Sequence, residues 1–236
     1  MIIAIDGPAG AGKSTVAREV ARALGLTYLD TGAMYRAVTL AALEGGVDPV
    51  DGEACGRLAS ELDLTFDEAG HVRIDGRPAE PAIRGAEVTR TVSSVSAHPQ
   101  VRRAVVAKQR ALAASRGLVA EGRDTTTVVF PQADHKFFLT ASESERARRR
   151  ARELGQEGRL TAVRAELERR DRLDSSRAHS PLVRAPDAVL VETDGLSIGE
   201  VVERILALVR EVCAPDSPPA GRRTGPTAES SGDGSP

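Results

Sequence analysis

Along this chain, short unbroken apolar runs alternate with stretches whose apolar residues recur every three to four positions. The run Ile2–Asp6 predicts a strand buried on both faces. Val16, Val20 and Leu24 then step at four-residue spacing, which predicts a helix over Ser14–Leu24 stopped by Gly25. A brief strand is expected at Thr27–Leu29, and a helix at Ala33–Glu44 ended by Gly45-Gly46. Three further strands are expected at Gly117–Glu121, Lys136–Thr140 and Ala188–Glu192. Helices over Glu143–Leu154, Thr161–Leu173 and Ser197–Val212 surround the last two. Strands separated by helices imply an α/β fold with a parallel sheet and right-handed crossovers.

Between Asp51 and Pro99 the rhythm changes. Leu64–Asp67 and His71–Asp75 read as a hairpin across Glu68-Ala69-Gly70, and Asp75-Gly76 marks another turn. Gly85–Ala97 looks helical. Residues of about 52–98 therefore read as a small insertion on the core. The last segment, 214–236, is rich in Pro, Gly, Ser and Thr and nearly free of large apolar side chains. Such a segment buries too little surface to offset its ordering entropy, so a disordered tail is expected there.

The 236 residues suit one medium domain, and an apolar fraction of 41% suffices for its core. With aromatics at 3% and no Trp, that core must rest on Ala, Val, Leu and Ile. A net charge of −2 gives no overall field to draw the protein onto a nucleic acid polymer or a membrane. Two cysteines in unrelated contexts, Cys55 and Cys213, speak against a disulfide framework or a zinc site. The N-terminus starts a strand at once, without a signal-peptide pattern, and no apolar stretch approaches ~20 residues. A soluble, cytoplasmic, monomeric protein is expected.

The most specific local pattern is Gly7-Pro8-Ala9-Gly10-Ala11-Gly12-Lys13-Ser14, followed by Thr15. It matches G-x-x-x-x-G-K-[ST] with a strand before and a helix after. Its glycines let backbone N–H groups approach phosphate oxygens, and the helix adds its positive N-terminal end. Lys13 is placed to reach the β- and γ-phosphates of a nucleoside triphosphate, and Ser14 to offer a hydroxyl to Mg²⁺. The three lysines, Lys13, Lys108 and Lys136, lie outside any [NT]-K-x-D tetrad that would read guanine. A small kinase is what remains, with a nucleotide switch of little turnover as the rival.

Candidates for the acceptor side follow the second and third strands, since open parallel sheets bind ligands at the carboxyl ends of their strands. Thr31 either caps a helix or meets the acceptor, and Arg36 either faces solvent or joins it. Arg123 and Asp124 stand at a strand end that opens toward Lys13. The run Arg146–Arg152 points its guanidinium groups in several directions, so one or two can face a phosphate. Arg170, Asp174 and Arg177 fall at i, i+4 and i+7, on one helix face. They form either surface ion pairs or a closing lid that carries positive charge to the transferring group. No general base stands out. A phosphate acceptor is already an anion and needs alignment and charge neutralisation instead, which points to a nucleoside monophosphate.

The blocks IDGPAGAGKST, YLDTGAMYRAVT, VSSVSAHPQVRRAVVAKQRALA, TTVVFPQADHKFFLTAS, RDRLDSSR and LSIGEVVERI occur in order from Met1 to about Val212. By these the chain resembles the bacterial cytidylate (CMP) kinases. The resemblance implies a P-loop nucleoside monophosphate kinase fold with a five-stranded parallel sheet. It implies a kinase domain over 1–213 with an acceptor-binding insertion at about 52–98 and a lid at about 148–172. It also implies transfer of the ATP γ-phosphoryl group to CMP and dCMP with Mg²⁺; the rival within the enzyme class is a kinase of another small acceptor, such as UMP or a metabolite alcohol. Carried over by motif, Ser93, Arg102 and Asp124 would read the cytosine ring. Arg36 and Arg123 would hold the acceptor phosphate, Thr31 would lie near the sugar, and Arg170, Asp174 and Arg177 would meet sugar and phosphates on closure. Lys13, Arg123 and Arg177 would carry the catalysis. In one place the chain departs from the family. Thr125 and Thr126 stand where the family usually has a bulky apolar residue and Gly, so the loop here is either ordinary or takes another path.

Overall fold

β1 (Ile2–Asp6) runs straight into the glycine-rich loop and α1 (Lys13–Leu24). Gly12 precedes that helix at φ 88°, and Gly25 closes it at φ 64° in the left-handed conformation. β2 (Thr27–Asp30) leads without a break into α2 (Thr31–Glu44), because the Asp30 carboxylate accepts from the Ala33 amide and caps the helix. Then come α3 (Gly52–Glu61), the short strands β3 (Leu64–Phe66), β4 (Val72–Ile74) and β5 (Arg77–Pro78), and the helices α4 (Ala86–Val95) and α5 (Pro99–Ala114). β6 (Leu118–Gly122), β7 (His135–Thr140), α6 (Glu143–Glu153), α7 (Leu160–Ser175), β8 (Val189–Glu192) and α8 (Ile198–Cys213) complete the chain. This computed structural model describes residues 1–67, 69–114 and 117–213. The tail expected at 214–236 and the hairpin residue Glu68 lie outside them.

The main sheet has the order β2–β6–β1–β7–β8, and every neighbouring pair is parallel. Its two faces bury different side chains. Ile3, Ile5, Phe137, Leu139 and Val191 pack with Val16, Val20, Val201 and Ile205 of α1 and α8. Leu29, Leu118 and Ala120 pack with Met34 and Val38 of α2 and with Val101 and Val105 of α5. β3, β4 and β5 form a separate antiparallel sheet. Its turn at Asp75-Gly76 has both residues at positive φ, 48° and 75°. No helix among the described residues is long and apolar enough to cross a membrane.

Two helices fall where the apolar pattern predicted none. α3 is capped by Asp51, whose carboxylate accepts from Glu53 and Ala54 N–H. Its Gly56 sits against Gln100, where a Cβ would come within 2.3 Å of that side chain. The glycines that weaken the helix signal are what lets α3 and α5 pack closely. α5 starts at Pro99, suited to a first helical turn, and its buried face includes Arg102 and Gln109 as well as valines. Those polar residues blur its periodicity.

At the Thr125-Thr126 departure the chain makes a wide helical turn instead of an open loop. Thr125–Val129 form a single wide helical turn closed by bonds from Val128 and Val129 N–H to the Asp124 carbonyl at 2.9 and 3.1 Å. Among the described non-glycine residues only Asp75 and Ser180 have positive φ, so neither threonine is strained.

Candidate active site

β1 and β6 lie side by side with Asp6 level with Gly122, and the loops that leave them bound one cleft of about 650 Å³. At the start of the glycine-rich loop, Gly7 has φ 149°, and a Cβ there would come within 2.0 Å of the Leu139 carbonyl oxygen. Only glycine fits beneath the end of β7. The loop then wraps the N-terminus of α1, and Lys13 folds back to donate from Nζ to the Pro8 carbonyl at 2.9 Å. Lys13 is buried, and burial together with the nearby Arg123 lowers its pKa from the ordinary 10.5 to about 7.

Ser14 Oγ donates to Glu121 Oε1 at 2.7 Å. Glu121 is the last but one residue of β6 and was not singled out from the sequence. Burial and the neighbouring Asp30 push its pKa up, while Lys13 and the Ser14 hydroxyl oppose the rise. Thr31 Oγ1 donates to the Glu121 carbonyl at 2.7 Å. Gly122 allows that approach, because a Cβ on it would meet Thr31 Oγ1 at 2.5 Å.

Thr31, Arg36, Ser93, Arg102, Arg123, Asp124, Arg170, Asp174 and Arg177 all line the same cleft as Ala9–Thr15. Their mutual contacts form one network. Arg102 pairs with Asp124, both buried, and its NH1 donates to the Ser96 carbonyl at 3.0 Å. The Tyr35 ring lies 5.1 Å below the Arg102 guanidinium. Arg177 donates to Ser96 Oγ at 3.1 Å and to Asp174 Oδ1 at 2.5 Å. Arg123 Nε donates to Asp174 Oδ2 at 2.9 Å. Against the cost of burial, Arg123 and Arg177 hold the Asp174 pKa below the usual carboxylate value. Arg36 donates to the Ile83 carbonyl and to Thr89 Oγ1.

This wall carries more positive charge than its own carboxylates satisfy. Burial, then Arg123 and Arg36, lower the Arg170 pKa to about 9; burial and Arg84 lower that of Arg36 to about 10. Arg102 Nε and Arg170 Nε are buried without a hydrogen-bond partner among the described residues. Buried donors of that kind require an acceptor, and crowded cations favour a polyanion. The Arg-rich helix α6 divides as its spacing requires. Arg149, Arg150 and Arg152 face the cleft, Arg148 pairs with Glu145 at the surface, and Arg146 turns inward to Asp171. Arg146 NH1 also donates to the Ala9 carbonyl at 3.2 Å, and Asp171 Oδ1 accepts from Ala9 N–H at 3.1 Å. Tyr35, Ser96, Glu121 and Asp171 were not singled out from the sequence because each is an ordinary residue type until its neighbours are known, and Arg146, part of the Arg run, turns to a carboxylate instead of facing the cleft. The acid at a strand end beside the serine of the loop was the one available signal.

The sequence matches the cytidylate kinase family over residues 3–211. This chain belongs to that family. It is 50% identical over 230 residues to a bifunctional pantoate ligase/cytidylate kinase from Synechococcus sp. (strain CC9902), covering 94% of this chain and 48% of that protein. The proteins of the same description from Synechococcus sp. (strain RCC307) and Trichodesmium erythraeum (strain IMS101) are 52% and 50% identical. They cover 89% and 90% of this chain, and it covers 43% and 41% of them. The chain thus spans less than half the length of these curated relatives. A shikimate kinase structure from Acinetobacter baumannii aligns over 89% of this chain and 93% of its own at 19% identity and a TM-score of 0.41, too distant to bear on function.

Proposed function

We propose that this chain transfers the γ-phosphoryl group of ATP to CMP and dCMP, giving ADP and CDP or dCDP. The observation that carries this reading is the placement of Ser93, Arg102 and Asp124 in the wall that faces the phosphate loop across one cleft. Cytosine presents an amino donor that a carboxylate accepts, with O2 and N3 as acceptors for Ser93 and Arg102. Uracil presents N3–H and O4 at two of those places and fits less well.

In this reading the amides of Gly7–Thr15 and Lys13 bind the donor phosphates, drawing on the N-terminal end of α1. Binding an anion beside Lys13 raises its pKa and keeps the ammonium charged through the transfer. Ser14, with Glu121 behind it, would hold Mg²⁺ through the hard oxygen ligands that the ion favours, and the bound ion would supply positive charge to the phosphates. Arg36 and Arg123 hold the acceptor phosphate, and Thr31 lies at the sugar. Arg123, Arg177 and arginines of the lid at about 148–172 neutralise the transferring group. Arg170 and Asp174 meet the sugar and phosphates as the insertion at about 52–98 and the lid close. The acceptor is an anion, so no carboxylate has to take a proton from it.

A coupled assay of ADP release with ATP against CMP, dCMP, UMP and AMP tests this. The highest kcat/KM is expected for CMP. Preference for UMP or AMP would overturn the base assignment, and ATP hydrolysis indifferent to any acceptor would overturn the kinase reading.

A further inference from the structure

Asp6 is the last residue of β1, and the donor loop begins at the next position. Its side chain is fully buried, and among the described residues no cation pairs with it directly, although Lys13 lies near enough to feel its charge. An ionised carboxylate in such a place is costly unless its lone pairs are met by hydrogen bonds. Here four donors meet them, all from two consecutive residues. Thr125 N–H and Thr125 Oγ1 donate to Oδ1 at 2.9 and 2.7 Å. Thr126 N–H and Thr126 Oγ1 donate to Oδ2 at 2.7 and 2.6 Å. Both threonines are buried.

The two oxygens of one carboxylate thereby fix the position and the orientation of a single turn. That turn directly follows Arg123 and Asp124, which pair with Asp174 and Arg102. Bonds to a charged acceptor are stronger and more directional than neutral ones. The end of strand β1 and the start of the turn therefore move as one body. We propose that Asp6 and the hydroxyls of Thr125 and Thr126 are positioning residues for acceptor selection. They peg the Arg123-Asp124 segment to the strand end from which the donor loop springs, and so set how sharply the acceptor base is read. This inference rests on the CMP reading above.

The test uses the full chain, with kcat and KM measured for CMP, UMP and ATP. Thr125→Val with Thr126→Val keeps the branched shape and both backbone donors but removes both hydroxyls. The kcat/KM for CMP is expected to fall about 10- to 100-fold, since small misplacement of a reacting or reading group has effects of that order. The loss falls mainly in KM for CMP, UMP suffers much less, and KM for ATP stays within about twofold, because the donor loop itself is untouched. Thr125→Ser with Thr126→Ser retains the hydroxyls and is expected to restore the preference for CMP. A double valine variant that folds and keeps the wild-type ratio of CMP to UMP overturns the proposal, whether or not both activities drop together. If the double variant does not fold, each single valine variant is judged by the same ratio. A wild-type enzyme without preference for CMP would refute the acceptor reading itself, whereas a preference that survives in the valine variants refutes only the peg.

Discussion

The two sides of the cleft are built in opposite ways. The side we assign to the donor is one continuous stretch, Gly7–Thr15, built of backbone amides and a helix end. The side we assign to the acceptor is assembled from α2, α4, α5, the turn after β6, and α7, and consists of charged side chains that orient one another. A loop of amides suits any polyphosphate. A wall of paired side chains can tell one base from another, because a wrong base leaves buried groups without partners. The contrast predicts that damage to the donor side lowers all activities together, and that damage to the acceptor side changes their ratios.

The largest effect is expected for Lys13→Met. Loss of the only lysine in the cleft should lower kcat by about 10³-fold or more, equally for CMP and UMP, in the coupled assay. A selective loss with one acceptor would break the division between the two sides. Next comes Asp171→Ala. It leaves Arg146 buried without its carboxylate and frees the Ala9 amide. A loss of about 3 kcal/mol of unfolding free energy in urea is expected, because an uncompensated buried charge is costly. KM for ATP should rise as well, since the pair ties α6 and α7 to the donor loop. Asp124→Asn should erode the kcat/KM preference for CMP over UMP by about 1–3 kcal/mol, the range of one good base contact, with ATP binding retained. Equal loss with both acceptors would remove Asp124 from base reading. The smallest effect is a proton. Burial and the nearby Arg123 lower the Lys13 pKa in the free protein from its ordinary value toward neutrality, so the charged fraction falls as pH rises. Triphosphate binding favours its charged form, so binding should take up more protons through Lys13 at pH 8 than at pH 6. Calorimetry in buffers of different ionisation enthalpy, with Lys13→Met as reference, measures the difference.

Much of the sheet could be read from the chain. The five parallel strands stand within a residue or so of their expected places; β1 and β6 are buried runs, whereas the edge strand β8 buries only Val191 and was read from its apolar character alone. α3 and α5 were not legible. In α3 glycine serves helix contact at the expense of propensity, and in α5 buried Arg102 and Gln109 interrupt the apolar stripe. On the acceptor side, Arg170, Asp174 and Arg177 were legible as one face because they share a helix and its end. Ser93 and Arg102 entered only through family resemblance, since nothing local separates a surface serine or arginine from a reading one. The threonines at 125 and 126 looked like an irregularity. Their partner Asp6 lies 119 positions away and explains them.

By itself, then, the sequence determined the alternation of strands and helices and the glycine-rich loop that we propose holds the donor phosphates. Both depend on near neighbours, through periodicity, glycine backbone freedom and the helix terminus. Only the tertiary structure decided which charges belong together. Inserting β6 between β1 and β2 brings Asp6 to Thr125, Ser14 to Glu121 and Asp30 level with Glu121. Folding α7 over the cleft brings Asp174 to Arg123 and Asp171 to Arg146 and Ala9. An arginine or an aspartate reads the same wherever it stands in a chain. Its partner, its burial and its charge state are set by the packing of elements remote from it in sequence, and the base selection we propose rests on those.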